Sequence, residues 1–314
     1  MQRTLVVYES RYGSTRIVAK TIALIMGAAV HCVVDEFKTE YKDFDFVVIG
    51  SPIYMGDVEP KIKGFIHENQ DWLSEKPVAL FCTCLDRRGG IDNLKSIEKI
   101  LGKDAVSIDT IGGRLKLNNL DLEDYKAIEA FLKRADLSFE DMDFFNIEEV
   151  IEYALELKNL KERDMNKLDP SKLKVYVEEF LTSHNTCTLA TSFKNRVRAT
   201  PLEYTYKEEY IYILTEGGEK FANLLMNKNV SLAINDPYKG MASLAGMQIT
   251  GKCEIIPRES PEYKDVMDLK GIKMSAIEAL PVNMNVIKIG LEKVEFLYWK
   301  FREDGYNARQ ILTF

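Results

Sequence analysis

Three short apolar runs in the first 90 residues are each followed by a loop of hydroxyl-bearing, glycine and aromatic residues. The runs are residues 5–8, 46–49 and 78–82, and their loops are residues 10–15, 50–57 and 83–90. Such runs are typical of buried parallel strands, and amphipathic helical segments follow them. Alternating strands and helices predict an α/β fold with a doubly wound parallel sheet, in which ligands bind beyond the carboxyl ends of the strands. We therefore expect the three loops to meet at one edge of the sheet.

The first loop leads into a helix and comprises Ser10, Arg11, Tyr12, Gly13, Ser14 and Thr15. The start of a helix offers free backbone N–H groups and the positive end of the helix dipole, which together favour a phosphate group. The loop has neither the glycine–lysine pair of nucleoside-triphosphate loops nor the G-x-G-x-x-G of dinucleotide folds. Taken alone, the loop has a second interpretation, a strand followed by a serine-capped helix with no ligand.

This loop resembles the phosphate loop of flavodoxins, in which Ser or Thr, then Thr or Tyr, then Gly and Thr recur at the same spacing. The resemblance extends over about residues 1–160 and is closest to the menaquinone-dependent protoporphyrinogen dehydrogenase branch of that fold. It rests on residues 50–56 (GSPIYMG), 81–84 (FCTC), 112–117 (GGRLKL) and 144–147 (FFNI). A flavodoxin-like domain is therefore the expected fold of the first half.

The flavodoxin resemblance implies bound FMN, with its phosphate at residues 10–15 and its isoalloxazine ring between the two later loops. Tyr54 is the expected stacking partner of the ring, and its alternative role is to cap the sheet edge. The ring-binding residues implied by the resemblance are Ser51, Pro52, Ile53, Tyr54, Met55, Gly56, Thr83, Cys84, Leu85 and Asp86.

A domain boundary is predicted after a helix at residues 147–160. The charged stretch that follows ends at Pro170, and stretches of this kind are typical of boundaries between domains. We predict a first domain at 1–163, a linker at 164–170 and a second domain at 171–314. A helix over 172–183, with Ser171 as a candidate cap, opens the second domain.

From residue 186 onward, β-type runs recur at short intervals and are interrupted by one predicted helix at 219–228. The runs are residues 187–192, 197–204, 210–215, 230–235 and 247–256. Many short strands separated by turns predict a small, mainly antiparallel β barrel.

This second half resembles the pyridoxamine-phosphate-oxidase-like family of FMN-binding split barrels over about residues 171–300. The matching segments are 188–191 (TLAT), 196–202 (RVRATPL), 211–224 (IYILTEGGEKFANL), 229–234 (NVSLAI) and 249–256 (ITGKCEII). Because these barrels usually bind FMN at a dimer interface, the resemblance implies a homodimer through the barrel and raises the FMN count to as many as two per chain.

The resemblance also implies roles for particular residues of the barrel. Lys220, in the first turn of a helix, and Arg198 would meet the FMN phosphate. Arg196 lies on the same face of its strand as Arg198 and is an alternative for that role. The remaining cofactor-binding residues implied are Ala199 and Thr200, beneath the ring, and Thr215, through its hydroxyl.

Two departures from the oxidases bear on the substrate. Glu203 stands where pyridoxamine-phosphate oxidases have a lysine that meets the substrate phosphate, and residues 299–309 lack the Arg/His ending of those enzymes. A carboxylate repels a phosphate group instead of binding it. Oxidation of vitamin B6 is therefore not expected.

Composition narrows the remaining classes of function. The net charge is −7, and residues 1–163 carry the whole excess, with 22 Lys and Arg against 29 Asp and Glu. Such acidity argues against nucleic acid as the main partner. Five cysteines without ligand spacing and three scattered histidines predict neither a disulfide framework nor a metal site. With no membrane-length apolar run and no signal peptide before the first strand, we expect a cytoplasmic protein.

We expect an FMN-dependent oxidoreductase that passes electrons between its two flavins and to a small-molecule acceptor. Because the flavin carries the redox chemistry, no acid–base catalytic residue is predicted. The sequence does not identify the electron donor; NAD(P)H and a reduced ferredoxin-type protein are the candidates. Two alternatives are a non-catalytic flavin- or haem-binding dimeric protein for storage or sensing, and protoporphyrinogen-dehydrogenase-like activity of the first domain alone.

Overall fold

The computed structural model describes residues 2–134, 138–163 and 165–314. Contacts between residues divide the chain into two compact units, Met1–Met165 and Asn166–Phe314. Residue 164, the first of the predicted linker, lies outside the described residues. No helix within the described ranges combines the length and apolarity that crossing a membrane requires.

The first unit alternates strands with helices along its whole length. Its elements are β1 (Thr4–Tyr8), α1 (Ser14–Met26), β2 (Ala29–Val33), β3 (Phe46–Tyr54), β4 (Asp57–Val58), α2 (Pro60–Glu68), α3 (Gln70–Ser74), β5 (Val78–Cys84), α4 (Arg87–Leu101), β6 (Ser107–Gly112), β7 (Arg114–Leu115), α5 (Leu122–Arg134), β8 (Met142–Asp143) and α6 (Ile147–Arg163). Helix α4 begins four residues before the predicted start at 91, because Asp86 caps it by accepting a hydrogen bond from the Arg88 N–H.

Five parallel strands form the central sheet of this unit in the order β2-β1-β3-β5-β6, with β4 paired antiparallel to the end of β3. Helices α1 and α6 cover one face, and α2 and α4 lie in the core cluster of the other face. Covered on both faces, β1 is an apolar run whose residues Leu5, Val6 and Val7 are 0% exposed. The predicted doubly wound sheet is confirmed. Its strand order reverses between β1 and β3, which is where such sheets bind ligands.

Two glycines fit this sheet for different reasons. A Cβ on Gly50 would lie 2.2 Å from Cζ of Phe81 on the neighbouring strand β5, so a side chain at residue 50 would collide with that ring. Gly13, between β1 and α1, has φ +98°, in the left-handed region that glycine adopts without strain. The first allows β3 and β5 to pack closely, and the second allows the chain to turn sharply at the sheet edge.

The second unit is mostly antiparallel β structure. Its elements are α7 (Pro170–Ser183), β9 (Thr186–Phe193), β10 (Arg196–Glu203), β11 (Thr205–Lys207), β12 (Tyr210–Thr215), α8 (Glu219–Leu224), β13 (Asn229–Asn235), β14 (Ala245–Ile256), α9 (Pro261–Leu269), α10 (Met274–Glu278), β15 (Asn285–Tyr298), α11 (Lys300–Glu303) and β16 (Arg309–Thr313).

The strands of the second unit form one curled sheet in the order β10-β9-β13-β14-β15-β12-β11, with β16 beside β15. Buried and exposed residues alternate strictly along β13, as expected when one face of a sheet covers a core. Leu232, Ile249 and Ile289 meet in that core. The predicted split barrel is confirmed. Helix α8 ends at Leu224, four residues before the predicted end at 228.

The start of the second unit differs in detail from the expectation. Helix α7 begins at Pro170, and Asp169 caps it by accepting hydrogen bonds from the N–H groups of Ser171 and Lys172. Proline suits the first helical position because its missing N–H needs no partner there, so Ser171 lies inside the helix instead of capping it. Leu168, within the predicted linker, is buried, and its N–H donates to Oε1 of Gln310 at 3.0 Å.

Candidate functional site

The first predicted loop is a tight turn closed by its own serine. Oγ of Ser10 accepts hydrogen bonds from the N–H of Gly13 at 3.2 Å and from the N–H of Arg16 at 3.3 Å. Gly13 supplies the left-handed turn that precedes α1. The N–H of Arg16 is thus taken by Ser10, whereas the N–H groups of Ser14 and Thr15 have no acceptor within the helix and are available to an anion at this end.

The first and third loops meet through two buried hydroxyls. Oγ1 of Thr15 lies 2.7 Å from Oγ1 of Thr83, and both residues are buried. Ser14 makes a further contact, because its Oγ accepts a hydrogen bond from the N–H of Arg114 at 3.3 Å. The first contact joins the loop after β1 to the end of β5, which lies two strands away in the sheet, and the second joins it to β7.

The second predicted loop is a hairpin turn between β3 and β4. Met55 and Gly56 have φ values of +51° and +78°, and Tyr54 pairs with Asp57 across the turn. Ser51 is buried; its Oγ accepts from the Glu59 N–H at 3.0 Å and donates to the Pro52 carbonyl at 2.8 Å. Ser51 therefore holds the hairpin against the start of α2.

Tyr54, the expected stacking residue, lies against two side chains of the first loop. Its ring meets the ring of Tyr12 edge to face, with centroids 5.9 Å apart and planes at 83°. The guanidinium carbon of Arg11 lies 5.3 Å from the centroid of Tyr54. Burial raises the pKa of Tyr54 to about 12, so the phenol is neutral at physiological pH. The structure thus joins the first and second loops through Tyr54.

The third predicted loop is less open than expected. Cys84 is buried, and Asp86 is engaged as the cap of α4. The sulfurs of Cys84 and Cys82 lie 2.8 Å and 3.0 Å from the position that a Cβ on Gly90 would occupy, so both thiols face the first turn of α4. In this part of the loop, Thr83 is the side chain that reaches the phosphate loop.

Two acidic residues contact the first loop: Asp124, in α5, and Asp121, which caps that helix. Neither was predicted from the sequence as a residue of the site. Oδ2 of Asp124 accepts from Nη1 of Arg11 at 2.7 Å and from the hydroxyl of Tyr12 at 2.5 Å. The N–H of Asp121 donates to the Tyr12 hydroxyl at 3.4 Å. More than a hundred residues separate the partners, so no local pattern could have predicted the contact.

In the second unit, Lys220 is the buried cation of the candidate site. The residue is 7% exposed, and its Nζ donates to the carbonyls of Gly217 at 2.9 Å and Glu216 at 3.2 Å. Burial lowers the pKa of this ammonium. In the part of the chain that the structure describes, no carboxylate lies within ion-pair distance of it. The centroid of the Phe221 ring also lies 5.2 Å from this ammonium. A buried cation that neutral groups surround is well suited to an anionic ligand.

Arg198 is the arginine that lies beside this helix. Its Nη1 is 3.2 Å from Oε2 of Glu219, the first residue of α8, whereas the guanidinium of Arg196 lies 5.9 Å from the ring of Phe193. Of the two alternatives, Arg198 is therefore the one bonded to the first residue of the helix that carries Lys220. Thr215 is buried, and its hydroxyl donates to the Glu216 carbonyl at 3.2 Å.

A second buried polar group lies one turn along α8. Asn223 is 1% exposed, and its Nδ2 donates to the carbonyl and Oγ1 of Thr191 at 3.2 Å and 3.1 Å. Its Oδ1 is buried and has no hydrogen-bond partner within the protein. Asn223 is not among the residues predicted to bind the cofactor, although Lys-x-x-Asn on one helix face is a signal that the sequence contains.

Strand β10, which carries Ala199 and Thr200, is an edge strand with little cover. It pairs only with β9, and its first four residues are exposed on both faces of the sheet. Val197 is 71% exposed there. Proteins usually cover an exposed apolar residue on a long edge strand, because such an edge can pair with another chain.

Glu203, the residue that replaces the oxidase lysine, is paired. Nζ of Lys270, after α9, lies 2.7 Å from Oε2 of Glu203 and 2.9 Å from Oγ1 of Thr205, and the Lys270 side chain is only 4% exposed. The carboxylate of Glu203 thus forms an ion pair with a buried lysine of its own unit.

The residues at both sites fit a phosphate-bearing cofactor better than a metal. Within the described ranges, no cluster of three or more histidine, cysteine or carboxylate side chains is arranged to hold a metal ion. The first site offers a glycine turn and a helix start, and the second offers a buried ammonium beside a guanidinium. Each arrangement matches what an FMN phosphate requires.

A doubly wound sheet with three converging loops and a split barrel with a buried lysine define a two-domain chain that joins an α/β domain to a β barrel. Two family models match it, one within each unit: "Flavodoxin domain" at residues 5–139 and "Pyridoxamine 5'-phosphate oxidase" at residues 173–298. The chain is a fusion of a flavodoxin-like domain with a pyridoxamine 5'-phosphate oxidase-like domain.

Solved structures with weaker similarity include three bacterial proteins. The haem storage protein HutZ of Vibrio cholerae is 17% identical, with 38% of this chain and 90% of that chain covered and a TM-score of 0.34. ChuZ of Campylobacter jejuni is 16% identical, with 50% of this chain and 68% of that chain covered and a TM-score of 0.35. General Stress Protein 26 of Bacillus anthracis is 14% identical, with 45% of this chain and 98% of that chain covered and a TM-score of 0.34. Similarity at this level carries no argument about function. No curated protein matches the chain.

Proposed function

We propose that this protein is an FMN-dependent oxidoreductase in which a flavin of the flavodoxin-like domain exchanges electrons with a flavin of the split barrel, which passes them to a small-molecule acceptor. Domains of both matched families typically bind FMN. Tethering two flavins in one chain turns a bimolecular encounter into an effectively intramolecular one.

The observation that carries the proposal is the buried ammonium of Lys220. A buried charge without an ion-pair partner is costly, and the groups that stabilise this one, two carbonyls and the Phe221 ring, are all neutral. A phosphate group would supply the missing counter-charge, and Arg198 lies at the start of the same helix to share it. The orphan Oδ1 of Asn223, in the next turn of that helix, would accept a hydrogen bond from a hydroxyl of the ligand and not from its phosphate.

The first site would hold its flavin through the turn at Gly13 and the start of α1, with Thr15 and Thr83 fixing the loop geometry. Tyr54 is our proposed stacking partner for the ring. Bound FMN supplies one- and two-electron redox chemistry. The protein's task is to bind the flavin, orient it and exclude water, so we assign no acid–base residue.

We further propose that the protein forms a homodimer through the barrel, with β10 in the interface. The support is the exposure of Arg196 to Ala199 on both faces of this edge strand and the openness of Val197. Sedimentation of the full chain tests this, with Val197→Lys as the disrupting variant. Tyr238→Lys, at another exposed position, serves as the control for added charge. A wild-type monomer would contradict the proposal.

The decisive experiment is the flavin stoichiometry and visible spectrum of the full chain reconstituted with FMN. We expect two FMN per chain in the wild type, one in Arg198→Gln/Lys220→Met and one in Tyr54→Ala. Lys239→Gln/Lys228→Met removes the same number of charges from exposed positions of the same unit and should still bind two. No bound FMN would refute the proposal.

Turnover is tested separately with the reconstituted protein. NAD(P)H and a reduced ferredoxin are the donors to compare, with a quinone as a small acceptor. Stopped-flow reduction should show the two flavins exchanging electrons within one turnover. Two bound flavins that never exchange electrons, and no turnover with either donor, would favour the non-catalytic storage or sensing alternative.

A further inference from the structure

The segment between β6, the last strand of the parallel sheet, and α6, which covers one face of that sheet, lies outside the sheet. Strands β7 and β8 pair as an antiparallel ribbon at its two ends, with Arg114 opposite Asp143. Between them lies α5, whose first turn is capped by Asp121: Oδ1 of this residue accepts from the N–H groups of Glu123 and Asp124 at 3.0 Å and 2.8 Å. The cap gives this end of α5 a defined position.

Asp124, in the first turn of α5, bonds to the phosphate loop by accepting hydrogen bonds from Arg11 and Tyr12, and Asp121 makes longer contacts with the same two side chains. We call the bonds from Arg11 and Tyr12 to Asp124 the Asp124 latch. Burial would raise the pKa of Asp124, but the hydrogen bonds from Tyr12 and Arg11 outweigh it and lower that pKa. Asp124 is therefore ionised near neutral pH, and the latch is a charge-assisted contact.

The latch has a consequence for Tyr54. Bonded to Asp124, Arg11 has its guanidinium 5.3 Å from the centroid of the Tyr54 ring, and Tyr12 meets the same ring edge to face. A planar ligand and a guanidinium cannot stack on one face of a ring at the same time. The carboxylate also places a negative charge beside the loop that would receive a phosphate.

We propose that the Asp124 latch regulates access of FMN to the first site: closed, it keeps Arg11 on Tyr54 and excludes the ring; open, it frees Arg11 and Tyr12. This inference rests on the proposed function, in which residues 10–15 hold the FMN phosphate. Because only the open form binds FMN, the apparent affinity is the affinity of the open form multiplied by the fraction of molecules that are open. Weakening the latch increases that fraction and therefore the apparent affinity.

The test compares Asp124→Asn with Glu123→Gln in the full chain. Both changes remove one negative charge from the first turn of α5, but Glu123 is exposed, and of these two residues Asp124 is the one bonded to Arg11. Arg198→Gln/Lys220→Met in the background confines the measurement to the first site. FMN association and dissociation are followed by stopped-flow quenching of flavin fluorescence.

We expect Asp124→Asn to bind FMN about fivefold faster or more than Glu123→Gln, with dissociation rates within about twofold of each other. Equal association rates in the two variants would overturn the latch and leave the flavin site intact. Slower association or markedly faster dissociation in Asp124→Asn would overturn it too, because the carboxylate would then be holding bound flavin. No FMN binding in any variant would refute the first flavin site, and the latch with it.

Hydrogen exchange of the wild-type chain gives an independent readout that needs no substitution. On addition of FMN, exchange at the amides of residues 121–125 should rise as the latch opens, while exchange at residues 10–15 falls. Increased protection of both segments would show that α5 closes over the flavin, which contradicts the proposal.

Discussion

The hydroxyl oxygens of Thr15 and Thr83 lie 2.7 Å apart, with both residues no more than 5% exposed. Thr15 is in the first turn of α1, and Thr83 is near the end of β5. One hydrogen bond thus joins the loop that would hold the phosphate to a loop that would hold the ring. Deleting either hydroxyl leaves the other buried without its partner, which costs about 1–3 kcal/mol.

We expect Thr15→Val and Thr83→Val each to lower the free energy of unfolding of the first unit by about 1–2 kcal/mol, and the double variant to lose less than their sum. Urea unfolding followed by Trp72 fluorescence measures this in a Trp299→Phe background, which leaves one tryptophan. Thr21→Val, half-buried on the same helix, is the matched control and should change stability by no more than about 0.5 kcal/mol. Strictly additive losses would contradict a shared bond.

Gly50→Ala should be strongly destabilising, by on the order of 3 kcal/mol, because the new Cβ would lie 2.2 Å from Cζ of Phe81 in a packed core. Phe81→Leu in the same chain removes the colliding ring atoms and should recover part of the loss. The measurement is again the urea midpoint reported by Trp72.

Gly64→Ala is the control for that substitution. Gly64 lies in α2 with open space around its Cβ position, so alanine should stabilise the helix by about 0.5–1 kcal/mol. Equal effects of Gly50→Ala and Gly64→Ala would show that Phe81 does not constrain residue 50.

The sheet and barrel were predictable because their signals are local. Apolar runs, loop residues and strand spacing lie within a few residues of one another, so the three loops could be assigned to one sheet edge. The contact of Tyr12 with Asp124 and that of Glu203 with Lys270 could not be predicted, because they join residues 112 and 67 positions apart. Ser51 and Asp86 were predicted to bind the cofactor, and the structure shows them bonded to the backbone at helix starts.

Glu203→Gln should lower the free energy of unfolding of the second unit by roughly 1–3 kcal/mol, because it leaves the buried ammonium of Lys270 with neutral acceptors and no counter-charge. Lys270→Met removes the buried charge itself and should cost less. Trp299 fluorescence in a Trp72→Phe background reports the transition. A larger loss in Lys270→Met than in Glu203→Gln would show that the pair is not organised around the buried lysine.

The stability of the second unit should depend on pH through Glu295. Burial would raise the pKa of this carboxyl, but Arg309 and Lys293 outweigh that effect and hold the pKa below its usual value. The folded state therefore binds fewer protons than the unfolded state. The stabilisation that ionised Glu295 gives to the folded state is complete above the pKa of this carboxyl in the unfolded chain, about 4.5. It is lost as the pH falls through the lower pKa of the carboxyl in the folded state.

We expect the free energy of unfolding of the second unit to be roughly 1 kcal/mol higher in wild type than in Glu295→Gln at pH 7. This difference should shrink below pH 4.5, because the wild-type carboxyl becomes protonated. Urea unfolding of the Trp72→Phe chain at several pH values measures this through Trp299. Glu292→Gln, which breaks the exposed pair with Lys252, is the control and should differ from wild type by less than about 0.5 kcal/mol at every pH. A Glu295→Gln deficit that stayed constant with pH would mean that packing, and not the charge held by Arg309, accounts for it.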